Sequence, residues 1–141
     1  MRSEVEVSIA KVGPRQKGQK MQMFRTRFAR DVVTEFLPPT HARKVQRVIV
    51  LCDGMPSLPR KQSLAEFLSA GGYWVFYPRY RGAWESGGEF LARSPHLDIL
   101  DVVSGLTREF RELAFGRQFR VPADETSCPA ISAPRHSSLR P

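Results

Sequence analysis

The Arg47–Gly88 stretch constrains this chain most, because it alternates strand and helix patterns in the order of a parallel β-α-β unit. We predict a strand over Val45–Cys52, since its centre is a continuous apolar run typical of a parallel strand that is covered on both faces. We predict a second buried strand over Tyr73–Tyr77, which Pro78 closes. Strand, helix and strand within roughly 30 residues indicate a right-handed βαβ unit.

The segment between these two strands, Lys61–Ala70, has the apolar spacing of an amphipathic helix. Leu64, Phe67 and Leu68 fall at positions i, i+3 and i+4, so we expect this face to pack against the sheet. The glycine pair at 71–72 predicts the end of the helix, because glycine readily adopts the left-handed conformation that closes helices.

The residues before this unit predict an antiparallel β-hairpin. Met21–Phe28 alternates apolar and polar residues, and Asp31–Leu37 is rich in β-branched and aromatic residues, with a turn between them at 29–31. The proline pair at 38–39 ends the hairpin. Further upstream, Met1–Ala10 also alternates and permits a short edge strand, whereas the polar and basic stretch 11–20 predicts a loop.

Downstream of the βαβ unit we expect a long glycine-containing loop over Arg79–Arg93 and then a second helix. Ser94 and Pro95 have the residue types of an N-cap and a first helical position. The apolar face of this helix consists of Ile99, Val102, Val103 and Leu106. Arg108–Arg120 predicts helix and then loop, and the Pro- and Ser-rich composition beyond Val121 predicts a disordered tail. The chain thus divides into a basic segment (1–20), an α/β domain (21–121) and a tail (122–141).

The composition limits the binding partners and the cellular compartment that we expect. The formal net charge is +8, which favours polyanionic partners or a solvated basic surface. The two cysteines do not form a disulfide framework, and Cys52 within an apolar run is interpreted as a small buried hydrophobe. The sequence has neither a membrane-spanning run nor an apolar signal core, so we expect a cytoplasmic protein. No cysteine or histidine pair has metal-ligand spacing, so neither a metal nor another cofactor is expected.

Three stretches resemble the α/β-hydrolase superfamily, in particular its prolyl-oligopeptidase-like and dienelactone-hydrolase-like members. They are Val48–Ser57, Gly72–Phe90 and His96–Leu106, and the similarity covers about residues 21–124. The resemblance implies an α/β fold whose mixed sheet joins an N-terminal antiparallel hairpin to a parallel βαβ unit. It also implies ester or peptide hydrolysis as the activity of a complete member.

The resemblance further implies two site regions. The turn after the first parallel strand corresponds to the turn whose backbone N–H groups help to build the oxyanion hole, and it consists of Asp53, Gly54 and Met55. The loop after the second strand corresponds to a loop that packs at the rim of the active site, and it includes Arg79, Tyr80, Arg81, Gly82 and Trp84. The same arginines and aromatic residues could instead stack on bases or bind carboxylates.

The nucleophile that such a hydrolase requires is absent from residues 1–141. Serine hydrolases of this fold place the serine in a Gly-x-Ser-x-Gly elbow, and this pattern does not occur here. Ser86 fails the pattern because Trp84 stands at the first glycine position. His96 is expected at a helix surface and His136 in the tail, so neither offers a rigid catalytic base. We therefore predict that this chain alone is inactive.

The sequence leaves two hypotheses for function. In the first, the chain is the N-terminal fragment of a serine-hydrolase-like protein, and a truncated or frame-shifted coding region would explain the abrupt change after Asp124. In the second, it is a non-enzymatic basic module that binds nucleic acid or acidic partners with salt-dependent affinity. Under the first hypothesis one edge of Val45–Cys52 lacks a neighbouring strand, which predicts marginal stability and self-association through that edge.

Overall fold

The computed structural model describes residues 22–41, 46–54 and 61–122. The predictions for the N-terminal segment 1–20 and for the tail beyond Pro122 therefore lie outside the described residues, as does Met55. The described elements are, in chain order, β1 (Phe24–Phe28), β2 (Val32–Leu37), β3 (Arg47–Val50), α1 (Gln62–Ala70), β4 (Tyr73–Pro78), α2 (Pro95–Gly105), β5 (Phe110–Arg111) and β6 (Gln118–Phe119). None of the described helices is long and apolar enough to cross a membrane.

Four strands form a mixed sheet in the order β1-β2-β4-β3. β2 pairs antiparallel with both β1 and β4, whereas β3 and β4 run parallel and are joined through α1. This arrangement confirms a mixed α/β fold in which an antiparallel hairpin precedes a parallel β-α-β unit. Within the described ranges β3 pairs with β4 alone, so β3 lies at the edge of the sheet.

The hairpin turn forms where the sequence predicts it. Phe28 pairs with Val32, and the loop between them places Ala29 and Arg30 in the left-handed region, with φ of 45° and 69°. Non-glycine residues adopt this region at a cost, so the pairing of the flanking strands holds the turn in shape.

The two faces of the four-stranded sheet carry different layers. α1 packs on one face, over Leu37 and Val75, through its buried Ala65. The opposite face carries α2 and the β5–β6 hairpin around a cluster rich in aromatic side chains. That cluster includes Phe28, Phe36, Trp74, Phe76, Val102, Leu106 and Phe110. Successive β4 residues alternate between the two faces, as a strand requires.

The predicted packing face of α1 is confirmed only at Leu68, which is half-buried and packs against the cluster around Leu37 and Val75. Its apolar residues Leu64 and Phe67 are exposed, Phe67 by 75%, whereas Ala65 and Ser69 are buried. Ser69 fits this interface because its hydroxyl donates a hydrogen bond of 2.7 Å to the carbonyl of Pro38, just after β2. Small residues bring the helix close to the sheet, so Leu64 and Phe67 point away from it.

Two further predictions are corrected by the fold. β3 covers fewer residues than the predicted strand, and Val48 is its one buried residue, because an edge strand lacks the second neighbour that covers a central one. Arg108–Arg120 does not begin with a helix but forms β5 and β6, which pair antiparallel. This small hairpin places Phe110 and Phe119 against the aromatic cluster, which explains why the segment prefers strands. The second helix, in contrast, begins with Ser94 as N-cap and Pro95 as predicted.

Candidate site at the carboxyl ends of the parallel strands

Asp53 lies at the centre of a cluster of polar side chains just beyond the carboxyl end of β3. The hydroxyl of Tyr77, near the end of β4, donates a hydrogen bond to the Asp53 carboxylate. The Lys61 ammonium, at the start of α1, lies 3.0 Å from the other carboxylate oxygen. The Tyr80 hydroxyl donates to the backbone carbonyl of Asp53 at 3.0 Å. The carboxyl ends of parallel strands are where α/β folds place ligands, and this chain gathers four polar residues there.

The surroundings of this cluster raise the pKa of both of its tyrosines. Burial, together with the hydrogen bond to Asp53 and its negative charge, raises the pKa of Tyr77 well above its usual range. Burial also raises the pKa of Tyr80, with smaller contributions from Cys52 and Asp53. Both phenols therefore stay protonated at neutral pH and act as hydrogen-bond donors rather than as bases.

Cys52 is exposed, which corrects its interpretation as a buried hydrophobe. Partial burial and the adjacent Asp53 raise its pKa, and Lys61 opposes them only in part. A thiol with a raised pKa is a poor nucleophile at neutral pH, because the thiolate is the reactive form. Cys52 is therefore a weaker nucleophile at neutral pH than a thiol with an ordinary pKa.

Gly54, the second residue of the predicted oxyanion-hole turn, is exposed. Apart from its chain neighbours, no residue within the described ranges would lie within 4 Å of a Cβ atom added at this position, and the glycine does not have a positive φ. The turn thus does not require glycine for its own packing or conformation. A residue without a side chain leaves the backbone here accessible to a bound molecule.

The Arg79 side chain is buried and contacts Tyr77 of this cluster and Glu35 of β2. Its side chain is 6% exposed, donates to the Glu35 carboxylate at 2.7 Å, and places its guanidinium 4.5 Å from the centre of the Tyr77 ring. Glu85, from the loop, approaches the Arg79 Nε at 3.7 Å. The guanidinium is therefore held by two carboxylates and an aromatic ring of the same chain, which opposes its use on an external polyanion.

Arg81 anchors the predicted rim loop to α2. Its guanidinium pairs with Asp98 and, at 2.9 Å, with Asp101, and its backbone N–H donates to Asp98 at 2.9 Å. Burial lowers the pKa of Arg81, but the hydrogen bonds to Asp101 and Asp98 outweigh it and raise the pKa overall. The Asp98 side chain is 5% exposed, so this pair is a buried ion pair of the loop.

Ser86 and Gly82 hold the loop in its shape. The Ser86 hydroxyl accepts a hydrogen bond from the Val33 N–H at 2.9 Å and donates one to the Arg79 carbonyl at 2.8 Å. Gly82 has a φ of 70°, and a Cβ there would lie 2.2 Å from the backbone nitrogen of Phe90. Trp84, in contrast, is 60% exposed. Ser86 thus holds the loop in its shape, and Trp84 lies on the surface of the loop.

The structure brings together only part of the predicted site. Asp53 and Tyr80 meet directly, whereas Arg81 and Trp84 point to other partners or to solvent. Tyr77 and Lys61 belong to the cluster but are not among the predicted site residues. The position of Tyr77 at the carboxyl end of a predicted parallel strand was the available signal, because these ends share one edge of the sheet.

The described histidines and acidic residues do not form a metal site. No group of three or more His, Cys, Asp or Glu residues within 22–41, 46–54 and 61–122 could hold an ion. His96 is exposed, and its ring Nδ1 lies 2.7 Å from the Ser94 hydroxyl at the start of α2, which agrees with the surface position expected from the sequence.

Comparison with protein-family models, with curated proteins and with solved structures finds no match to this chain.

Proposed function

We propose that this chain carries the N-terminal part of a serine-hydrolase-like scaffold, with the turn at Asp53, Gly54 and Met55 as its oxyanion-hole side and no nucleophile of its own. The proposal rests on the resemblance of three stretches to the α/β-hydrolase superfamily. Ester or peptide hydrolysis belongs to a complete protein of this type, and residues 1–141 lack hydrolase activity because they contain no Gly-x-Ser-x-Gly elbow.

The topology is the main observation in favour of this proposal. In the resembled fold an antiparallel hairpin begins the sheet, and the strand before the oxyanion-hole turn lies between the next parallel strand and the nucleophile strand. Here the hairpin comes first, β3 pairs with β4, and the other side of β3 pairs with none of the described strands. The edge of β3 is thus the position that a nucleophile strand would occupy.

The surroundings of Gly54 add support from local geometry. An oxyanion hole needs backbone N–H groups that a substrate oxygen can approach to about 3 Å. Among the described residues only the chain neighbours of Gly54 lie close to it, which permits such an approach, and Tyr77 and Lys61 fix the adjacent Asp53 side chain at two points. These contacts favour a fixed position for Asp53, and fixed groups are what electrostatic stabilisation of a transition state requires.

Labelling with a fluorophosphonate probe and turnover of an activated ester test the absence of a nucleophile. We expect neither labelling nor turnover above the background of the heat-unfolded protein. Stable labelling of a serine would contradict the proposal, and the Ser86→Ala variant would show whether the loop serine is responsible.

The coding DNA tests the scaffold itself. Reading all frames downstream of codon 124 should reveal a short apolar strand followed by Gly-x-Ser-x-Gly. Finding neither in any frame would contradict the hydrolase-like origin. A cytoplasmic location is part of the same proposal and rests on the low cysteine content.

The alternative proposal, a basic module that binds nucleic acid or acidic partners, receives less support from the loop. Arg79 and Arg81 are both engaged by carboxylates of the same chain. Binding would therefore use exposed arginines such as Arg27 and Arg30 of the hairpin, together with the basic segment 1–20. Titration of mixed-sequence DNA at several salt concentrations tests it, and an affinity that does not fall with salt would rule it out.

A further inference from the structure

The edge of β3 has hydrogen-bonding groups that β4 does not use. The Leu51 N–H donates to the Phe76 carbonyl at 2.8 Å, which fixes the direction of the alternating backbone groups in this segment. Because successive residues of a strand direct these groups to opposite sides, the N–H and C=O groups of Val48 and Val50 point away from β4, and an extension of β3 beyond its end at Val50 would direct those of Cys52 to the same side. None of the described strands pairs with this side of β3, so one further strand can pair with these outward positions.

Between residues 48 and 52 this edge carries none of the side chains that protect exposed edges. Natural edge strands carry lysine, proline, inward charges or bulges that block pairing with another chain. From Val48 to Cys52 the sequence is entirely apolar, with two charged residues at its ends, Arg47 and Asp53. Val50 is half-buried and Cys52 is exposed, so apolar surface accompanies the outward backbone groups.

We propose that this edge is a homodimer interface, in which β3 of two copies pairs antiparallel about a two-fold axis at Val50 and joins the two sheets into one of eight strands. The occupant is a second copy because the segment is complementary to itself in this orientation. A two-fold axis perpendicular to the sheet keeps each face of one sheet continuous with the same face of the other. The proposal rests on the topology and charges of the edge and does not depend on the hydrolase-like function.

The charges at the ends select the register. With Val50 opposite Val50 of the other copy, Arg47 lies directly opposite Asp53, and this occurs twice by symmetry. In the same register Val48 lies opposite Cys52 and Ile49 opposite Leu51, so all the inner pairs are apolar. Shifting the register by two residues would place Arg47 opposite Leu51 or Ile49 opposite Asp53. Opposite charges directly across two strands stabilise a sheet, and a charge across from an apolar residue does not.

The backbone agrees with this register. The outward groups belong to Val48, Val50 and Cys52, so the pairs Val48–Cys52 and Val50–Val50 exchange both hydrogen bonds. The Arg47–Asp53 pairs fall at non-hydrogen-bonded positions, where the Cα atoms approach to about 4.5 Å and the side chains interact most closely. Asp53 already contacts Lys61 and Tyr77, which hold its carboxylate on the face that Arg47 shares.

Sedimentation equilibrium with charge-reversed variants tests the interface. The wild type should form a discrete dimer of about 32 kDa, which is twice the 16.0 kDa of the chain. Arg47→Glu and Asp53→Lys should each weaken the dimer by about tenfold or more, because each variant creates two like-charge pairs. An equal mixture of the two variants should restore dimerisation, since the mixed dimer pairs Glu with Lys and Arg with Asp. Circular dichroism of each variant alone checks that it is folded.

A cysteine scan tests the register and does not depend on the folding of Asp53→Lys. In a background with Cys52→Ser and Cys128→Ser, Val50→Cys should form an intermolecular disulfide, because Cα atoms in a hydrogen-bonded pair lie about 5.5 Å apart. Ile49→Cys should stay reduced under the same oxidation. A strictly monomeric wild type, failure of the mixture of two folded variants to dimerise, or cross-linking through position 49 instead of 50 would each overturn the proposal.

Discussion

The two faces of the sheet differ in what covers them. One face is packed by a dense aromatic cluster, in which Phe36 contacts Phe76, Phe110 and Phe119 at ring-centre distances of 5.0–5.8 Å. The α1 face has a small apolar centre around Leu37 and Val75 and then passes into a polar region. That region contains Arg25, Glu35, Tyr77, Arg79 and Asp53. The comparison indicates that the aromatic face supplies most of the stability, whereas the α1 face and the β3 edge are the parts available for function.

Replacing a buried phenylalanine of the aromatic face and an exposed phenylalanine of α1 with alanine should give the largest difference in the free energy of unfolding. Phe76→Ala removes a fully buried ring from the aromatic face and should lower the free energy of unfolding by about 3–5 kcal/mol. The matched control Phe67→Ala removes an exposed ring from α1 and should change it by less than about 0.5 kcal/mol. Urea unfolding followed by circular dichroism measures both. Equal losses of unfolding free energy in the two variants would contradict the conclusion that the aromatic face supplies most of the stability.

The loop between β4 and α2 depends on a buried ion pair rather than on apolar packing. Asp98→Ala leaves the Arg81 guanidinium without its most buried partner and should cost about 3 kcal/mol of unfolding free energy. Asp101→Ala removes a more exposed carboxylate from the same arginine and should cost less than about 1 kcal/mol. If the two variants unfold at the same urea concentration, burial of the pair does not control the loop.

Removing the Ser86 hydroxyl should also destabilise the loop, but by less than removing the Asp98 carboxylate. Ser86→Ala leaves the Val33 N–H and the Arg79 carbonyl without the hydroxyl that bonds both, which should cost about 1–3 kcal/mol. Ser63→Ala, on the exposed side of α1, serves as the control and should be close to neutral. Thermal unfolding of both variants measures the difference, and equal melting temperatures would contradict the structural role given to the Ser86 hydroxyl.

The sequence alone predicts those elements in which the local residue pattern agrees with the packing of the folded chain. The hairpin, the parallel β3–α1–β4 unit and the Ser94–Pro95 start of α2 are confirmed, since alternation, apolar runs and capping residues act locally. The packing face of α1 was not predictable from its spacing. Leu64 and Phe67 have the periodicity of a core face, but the space against the sheet admits the smaller Ala65 and Ser69.

The candidate site was predicted only where chain position determines it. Asp53 and Tyr80 were identified through the resemblance of their turn and loop to hydrolase site regions, and both follow parallel strands, whose carboxyl ends meet at one edge of the sheet. Arg79 and Arg81 were in the right loop, but their partners Glu35 and Asp98 come from β2 and α2. Contacts between residues so distant in sequence depend on the assembled sheet, and no local spacing encodes them.

The polar region of the α1 face should also make the free energy of unfolding depend on pH in the alkaline range. Tyr77 has a pKa above its unfolded value of about 10, so the folded protein holds a proton that the unfolded chain loses as the pH rises past 10. The stabilising contribution of this group is thus complete below pH 10 and falls as the pH rises above it. Tyr77→Phe should reduce this alkaline loss of stability, whereas Tyr73→Phe, at the other end of β4, should retain it. An unchanged alkaline profile in Tyr77→Phe would contradict the role given to the Asp53 cluster.

The central claim is that β3, which pairs with β4 alone among the described strands, pairs on its other side with β3 of a second copy. Residue-resolved amide hydrogen exchange at increasing protein concentration tests it most directly. We predict that the Leu51 amide, bonded to Phe76, is protected at every concentration, whereas the outward Val50 amide exchanges rapidly in dilute protein and becomes protected as dimers form. Equal and concentration-independent protection of both amides would contradict the account.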